Sequence, residues 1–135
     1  MDSAIQIHEL MNILDTDKIA KMQLEDGVFH VVFETDINMT LECAKDVLKQ
    51  RLEITEFKDY PLYVDIRGVL SIDRSARKYL SSHEGTKHAL AAAIHVNNPI
   101  SKFLGNLFIR VDKPDKPTKL FTDKANALEW LKKVK

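Results

Sequence analysis

The stretch LYVDIRGVLSIDRSARKYL, residues 62–80, carries the strongest fold signal in this chain. Its first part holds Tyr63, Val64 and Ile66, an apolar run with the length of a buried strand. Gly68 interrupts this run, and beyond Asp73 the apolar residues take the spacing of a helix. A buried strand that leads into a helix predicts a β/α unit, the building block of a parallel sheet.

Upstream of this stretch, residues 18–34 show two strand-like runs that meet at Asp26-Gly27. Because this dipeptide tolerates positive φ, it predicts a tight turn and an antiparallel hairpin. From Thr40 the apolar residues change to helical spacing, and Thr40 is the expected N-cap of that helix. The apolar face of the predicted helix consists of Leu41, Ala44, Val47, Leu48 and Leu52.

Downstream of the stretch, residues 88–96 read HALAAAIHV. The segment is short, ends in β-branched residues and stops before Asn98-Pro99, so we predict a central strand. Asn98 is the expected N-cap of the next helix, with Pro99 at its first position. The apolar stripe of that helix predicts its core face, which consists of Ile100, Phe103, Leu104, Leu107 and Phe108.

The C-terminal part of the chain predicts one more strand and one more helix. The strand is TKLF, residues 118–121, and the helix begins after Thr122 or Asp123 as its N-cap. We expect its buried residues to be Ala125, Leu128, Leu131 and, in part, Trp130.

In chain order these elements predict one α/β domain over residues 1–135. Its mixed sheet has four to five strands, made of the N-terminal antiparallel hairpin and then parallel β/α units with covering helices. Residues 1–16 form an N-terminal extension whose state stays open between a strand and a short helix. Their apolar residues fit both spacings.

Composition and charge exclude several classes of protein. The 20 Lys and Arg residues balance 20 Asp and Glu residues, so the chain lacks the basic excess of a nucleic-acid binder. The lone cysteine, Cys43, cannot form an internal disulfide, which fits a reducing cytoplasm. No run of about eighteen apolar residues and no signal peptide is visible, so we expect no membrane insertion.

The quoted stretch resembles the central motif of STAS domains, the fold shared by bacterial anti-sigma-factor antagonists and the cytoplasmic tails of sulfate transporters. The likeness lies in an apolar-x-apolar-Asp-apolar strand, a short Gly-containing loop, and apolar-Asp-x-Ser at the start of a helix. The whole chain is similar to a group of small uncharacterised bacterial proteins described as STAS/SEC14-like. That likeness covers residues 19–133 and includes LEDGVFHVVF, VDIRGV, SARKYL and KLFTDKANALEWLKK.

The chain departs from the family pattern at the position that matters for regulation. Antagonists that are switched by phosphorylation carry Asp-Ser-Ser-Gly at this point, and the first serine takes the phosphate. This chain has Asp73-Arg74-Ser75-Ala76, so an arginine stands at the phosphoacceptor position. The resemblance therefore implies the fold without the phosphoryl switch, although Ser75 or Ser71 offers a hydroxyl.

Ligands of open parallel sheets bind beyond the carboxyl ends of the strands, where helix N-termini gather. Two turns of this chain qualify, residues 68–76 and 96–101. If their strands are neighbours, both helix N-termini point unpaired N–H groups and positive dipole ends at one rim of the sheet. Arg74 and Arg77 would add positive charge to this rim. The residues predicted to bind a ligand or partner there are Asp73, Arg74, Ser75, Arg77, Asn97, Asn98 and Ser101.

A structural interpretation of the same residues is that Asp73 and Asn98 only cap helices and that the arginines lie on a solvated face. Asp65 on the strand and Arg67 beside it then pair with Arg77 or with a neighbour in a structural ion pair. The sequence contains no HExxH, G-x-S-x-G, P-loop or dinucleotide motif, and its five histidines read as ordinary polar surface. We expect no metal, no cofactor and no catalysis.

Two functions fit this sequence. The first is a binding module that engages a regulatory protein or a small anionic ligand at the rim, with a homodimer through the hairpin edge or the Trp130 helix also compatible. The second, an alternative suggested by the SEC14-like resemblance, is a carrier or sensor of a small apolar or lipid-like ligand. The carrier needs a hollow beneath the Phe103/Phe108 helix, whereas the binding module needs a filled core.

Overall fold

A computed structural model describes residues 19–134 of the chain. The open prediction for residues 1–16 lies outside this range. The strands are β1 (Ala20–Glu25), β2 (Val28–Phe33), β3 (Ile37–Met39), β4 (Tyr60–Asp65), β5 (Val69–Ile72), β6 (Ala89–His95) and β7 (Thr118–Phe121). The helices are α1 (Leu41–Ile54), α2 (Arg74–Ser81), α3 (Pro99–Leu107), which continues into a π-helical turn (Phe108–Asp112), and α4 (Lys124–Lys132).

Five strands form the main sheet in the order β1-β2-β4-β6-β7. The β1/β2 pair is the predicted antiparallel hairpin, and Asp26 and Gly27 take positive φ values of 52° and 78° at its turn. The other three pairings in this sheet are parallel, and they result from the predicted β/α units. The predicted mixed α/β fold is confirmed.

A second, two-stranded parallel sheet is formed by β3 and β5, which the sequence analysis did not predict. The residues after Gly68, read from sequence as a loop, are therefore a short strand. The backbone N–H of Asp73 donates to the carbonyl of Met39 at 2.9 Å and extends this pairing by one residue.

The main sheet is covered on both faces. One face packs under α1, α2 and α3 in a core that includes Phe29, Val31, Leu62, Ile66, Ile94 and Leu104. The opposite face packs against α4, and its core is built from Val28, Tyr63, Ala91, Ala93, Ala127 and Leu131. The alanines of β6 leave room for the close approach of α4, as expected for small residues on a central strand.

Most predicted caps are confirmed. Thr40 accepts from the backbone N–H of Cys43 at 3.2 Å, Asn98 caps α3, and Asp123 caps α4. Gly85 follows α2 without the left-handed conformation common after helices, because only Gly27 among the described glycines has positive φ. Gly85 is instead required by crowding, since a Cβ there would overlap the backbone oxygen of Tyr79.

The expected burial is wrong for part of two helices. In α4, Ala125 is exposed, while Ala127 and Leu131, four residues apart, face the sheet. In α3 the apolar stripe is wider than its contact with the core. Leu104 is buried, but Phe103 is 64% exposed and Ile100 is 47% exposed.

Candidate functional site

Some of the predicted rim residues are exposed, and the others are bonded within the fold. Asp73, Arg74 and Ser75 begin α2 with their side chains open to solvent. The Asp73 carboxylate makes no capping hydrogen bond to the helix. Among the described residues, Arg74 and Ser75 have no side-chain partner, so their polar groups are available to a ligand.

Arg77 is not available in the same way. Its Nε donates to Oδ2 of Asp112 at 2.9 Å, and a second nitrogen donates to the carbonyl of Ile72 at 3.0 Å. The side chains of this ion pair are 13% and 4% exposed. The arginine fixes α2 to the π-helical turn, so its charge is already neutralised.

At the start of α3 the polar residues are mainly structural. Oδ1 of Asn98 accepts from the backbone N–H of Ser101 at 2.8 Å, and Oγ of Ser101 accepts from the backbone N–H groups of Asn97 and Asn98. Ser101 is fully buried, so it belongs to the cap. Nδ2 of Asn98 also donates to the carbonyl of Arg67 at 3.0 Å and links this cap to the β4–β5 turn.

The second strand pair decides which helix N-termini lie together. Because β3 and β5 are parallel and end at the paired residues Met39 and Ile72, α1 and α2 begin side by side. The start of α3 instead contacts the β4–β5 turn through Asn98. The carboxyl ends of β4 and β6 are neighbours, with Asp65 paired to His95.

An exposed apolar groove adjoins the rim between β5 and α3. Its wall on β5 includes Leu70, and its wall on α3 includes Pro99, Ile100 and Phe103. Leu70 is 43% exposed, similar to Ile100. The side chains that the sequence assigned to the core face of α3 therefore line an open surface, which sequence reasoning missed.

A buried polar cluster lies on the opposite face of the sheet. The hydroxyl of Tyr63 and Nδ1 of His95 are 2.6 Å apart, and the ring of His30 packs 5.2 Å from the Tyr63 ring. Burial raises the pKa of Tyr63 to about 12 and lowers the pKa of both histidines. The cluster thus holds neutral rings, and the expectation that His30 and His95 are surface residues is wrong.

Asp65 and Arg67 form an ion pair with each other beside this cluster, and the expected pairing with Arg77 is wrong, because Arg77 pairs with Asp112. Arg67 donates to both carboxylate oxygens of Asp65, the shortest contact being 2.6 Å. Burial alone would raise the pKa of Asp65, but the hydrogen bonds and charge of Arg67 outweigh it, so the net shift is downward. This geometry is that of a structural pair at the end of β4.

A cavity of about 130 Å³, partly open to solvent, lies between the main sheet and the helices α1, α2 and α3. Most of its wall is apolar and includes Val31, Val64, Ile94 and Phe108. The hollow required by the alternative function is therefore present.

Two cationic side chains, Arg51 and Lys116, lie at one end of the cavity. Arg51 is only 4% exposed, and burial lowers its pKa to about 10. Sequence reasoning missed it, although its positions relative to Val47 and Leu48 place it on the apolar face of α1.

Two further features bear on the kind of site. Within residues 19–134, no three side chains of the metal-binding types cluster closely enough to hold an ion. None of the helices in the same range has the length and apolar character needed to cross a membrane.

Comparison with solved structures agrees with this architecture. An uncharacterised protein from Shewanella loihica PV-4, of the DUF3478 family and with a SpoIIAA-like fold, superimposes with a TM-score of 0.52. The two chains are 17% identical, and the match covers 83% of this chain and 91% of that one. A likeness at this identity shows the fold alone, and it confirms the predicted STAS-like α/β fold.

The chain belongs to the family described as Domain of unknown function (DUF7793), whose model matches residues 22–135. A protein with unknown function from Arthrobacter sp. FB24 is 22% identical over 84% of this chain and all of that one, with a TM-score of 0.34. No curated protein matches the chain.

Proposed function

We propose that this protein is a non-catalytic binding module of the cytoplasm that docks a partner protein at the groove between β5 and α3. The observation that carries the proposal is the exposure of Phe103 and Ile100 on the apolar stripe of α3. Apolar patches rimmed by polar residues mark interaction sites on soluble domains.

Two exposed cations that lie within two residues of groove residues in the sequence indicate the chemistry of the partner. Arg74 begins α2 two residues after Ile72 of the groove, and Lys102 is exposed beside Phe103 on α3. Neither cation forms an ion pair with a described residue. The expected partner surface therefore has an apolar side chain for the groove and acidic side chains for the two cations, and a small anion is the minimal ligand of the same rim.

The test compares the full chain with Phe103→Ser and Arg74→Ala. A matched control is Leu24→Ser, which removes a half-exposed apolar side chain from β1 at an edge of the main sheet. Each protein is used as bait in native lysate, and any captured protein is purified and titrated against all four baits by calorimetry.

Support requires a purified partner that binds wild type and Leu24→Ser equally and binds Phe103→Ser at least about tenfold more weakly, a loss of about 1.4 kcal/mol. A thermal-shift panel of phosphates, nucleotides and acidic peptides tests whether the rim binds a small anion. The panel compares wild type with Arg74→Ala. If no partner distinguishes Phe103→Ser from Leu24→Ser, and no anion is lost with Arg74→Ala, the rim and groove have no binding function.

A second function, carriage or sensing of a small apolar molecule, is supported by the cavity between the main sheet and α1, α2 and α3. An apolar cavity of about 150 Å³ in another protein stays dry and binds benzene, so a similar volume here accepts a group of that size. A whole lipid is too large. Binding of benzene or 1-hexanol to the full chain, and its loss when Ala92→Ile fills the cavity wall, tests this function.

A further inference from the structure

The polar end of the cavity indicates the chemistry of the ligand that the cavity binds. This end lies at the edge of the main sheet where β6 and β7 begin, and two cations reach it from different elements. Arg51 extends from the last turn of α1, and Lys116 precedes β7. Both side chains line the same cavity as the apolar wall.

The partners of these cations are neutral. Arg51 donates to the carbonyl of Gly85 at 3.3 Å, and Lys116 donates to the carbonyls of Thr86 and Ala89 at 3.0 Å each. Within residues 19–134, no carboxylate lies within ion-pair distance of either group. The other strongly buried cation, Arg77, has a carboxylate partner.

A buried guanidinium without a counter-ion is costly, because water has been removed and no opposite charge replaces it. The contacts to the Gly85 and Thr86 carbonyls supply only partial negative charge. An anionic group bound between Arg51 and Lys116 would neutralise them, and the planar guanidinium fork matches a carboxylate.

We infer that the cavity binds a short-chain organic acid, with its carboxylate between Arg51 and Lys116 and its hydrocarbon part against the apolar wall beneath α3. This inference rests on the cavity-binding function proposed above and names its ligand class. The volume of about 130 Å³ limits the hydrocarbon part to a short chain or one ring.

The experiment measures binding of three probes of equal chain length to the full chain by calorimetry at neutral pH. The probes are hexanoate, 1-hexanol and hexylammonium. Hexanoate is expected to bind at least about tenfold more tightly than 1-hexanol, and hexylammonium should not bind, because the cations repel it. Decanoate should gain nothing over hexanoate, since the cavity is already filled.

Three variants test whether the probes bind in the cavity. Arg51→Met should weaken hexanoate at least about tenfold and leave 1-hexanol within about twofold. Ala92→Ile should weaken both probes, because it occupies the apolar wall. Lys49→Met, an exposed lysine on the same helix, should change neither.

The outcomes separate the inference from the function on which it rests. If 1-hexanol binds as tightly as hexanoate, or Arg51→Met does not discriminate between them, the cavity binds apolar molecules and the acid inference is wrong. If none of the probes binds, both are wrong. If chloride or phosphate alone protects the protein through Arg51 as well as hexanoate does, the site takes an inorganic anion and the acid inference again fails.

Discussion

Replacing Arg51 by methionine should stabilise the ligand-free protein. Burial lowers the pKa of Arg51 to about 10 because the charged form loses its hydration. At about 1.4 kcal/mol per pKa unit, the difference from an ordinary arginine corresponds to a cost of roughly 3 kcal/mol. Methionine keeps most of the side-chain volume and removes this cost.

The substitution also loses the hydrogen bond from Arg51 to the carbonyl of Gly85, which is worth about 1 kcal/mol. The net expectation is a gain of about 2 kcal/mol in the free energy of unfolding. For a domain of this size, that gain raises the melting temperature by roughly 5–10 °C. Because a base with a lowered folded-state pKa destabilises the fold at every pH below that pKa, the full gain is present at neutral pH.

Urea unfolding at neutral pH, followed by circular dichroism, measures the change. Lys49→Met is the control, and its effect should stay within about 0.5 kcal/mol because the lysine is exposed. Hexanoate should stabilise wild type more than it stabilises Arg51→Met. If Arg51→Met is less stable than wild type by more than about 1 kcal/mol, Arg51 is a structural residue and the reasoning from an uncompensated charge is refuted.

Three further outcomes test the packing. Asp112→Ala should destabilise the fold by about 3–5 kcal/mol in urea unfolding, because it leaves the buried Arg77 unpaired; a loss below about 1 kcal/mol contradicts this. Gly68→Ala should destabilise by at least about 2 kcal/mol, because its Cβ would overlap the backbone oxygen of Glu34; wild-type stability would exclude the close approach. Wild-type stability should fall as pH drops below about 6.5, because burial and the charge of Arg67 lower the pKa of His95 in the folded state, and unfolded histidine binds the proton more tightly. His95→Gln should reduce this pH dependence and leave the part due to His30, whose pKa burial also lowers, and an unchanged profile would contradict the assignment.

Local signals made much of the fold predictable. The Asp26-Gly27 turn and the Asn98-Pro99 start of α3 are encoded by adjacent residues whose conformational preferences are strong. The β3–β5 pair was missed because its strands are three and four residues long and lie far apart in the chain. Neither strand carries enough alternation to be recognised alone.

The site residues were less predictable because their roles depend on distant partners. The sequence around Arg77 gives no sign that its partner is Asp112, which lies 35 residues further along the chain. Helical periodicity placed Phe103 on an apolar stripe. Periodicity gives no information about how much of that stripe the sheet covers. The same periodicity places Arg51 on a buried face, and only the tertiary structure shows that no carboxylate from residues 19–134 meets it there.

The groove and the cavity lie on two sides of α3. Leu104 lines both of them, whereas Phe103 lines only the groove and Phe108 only the cavity. Because packed interiors transmit small displacements, a ligand that fills the cavity presses on the helix that forms the groove wall. Leu104→Ala should therefore perturb both binding functions, while Phe103→Ser and Arg51→Met should each perturb one.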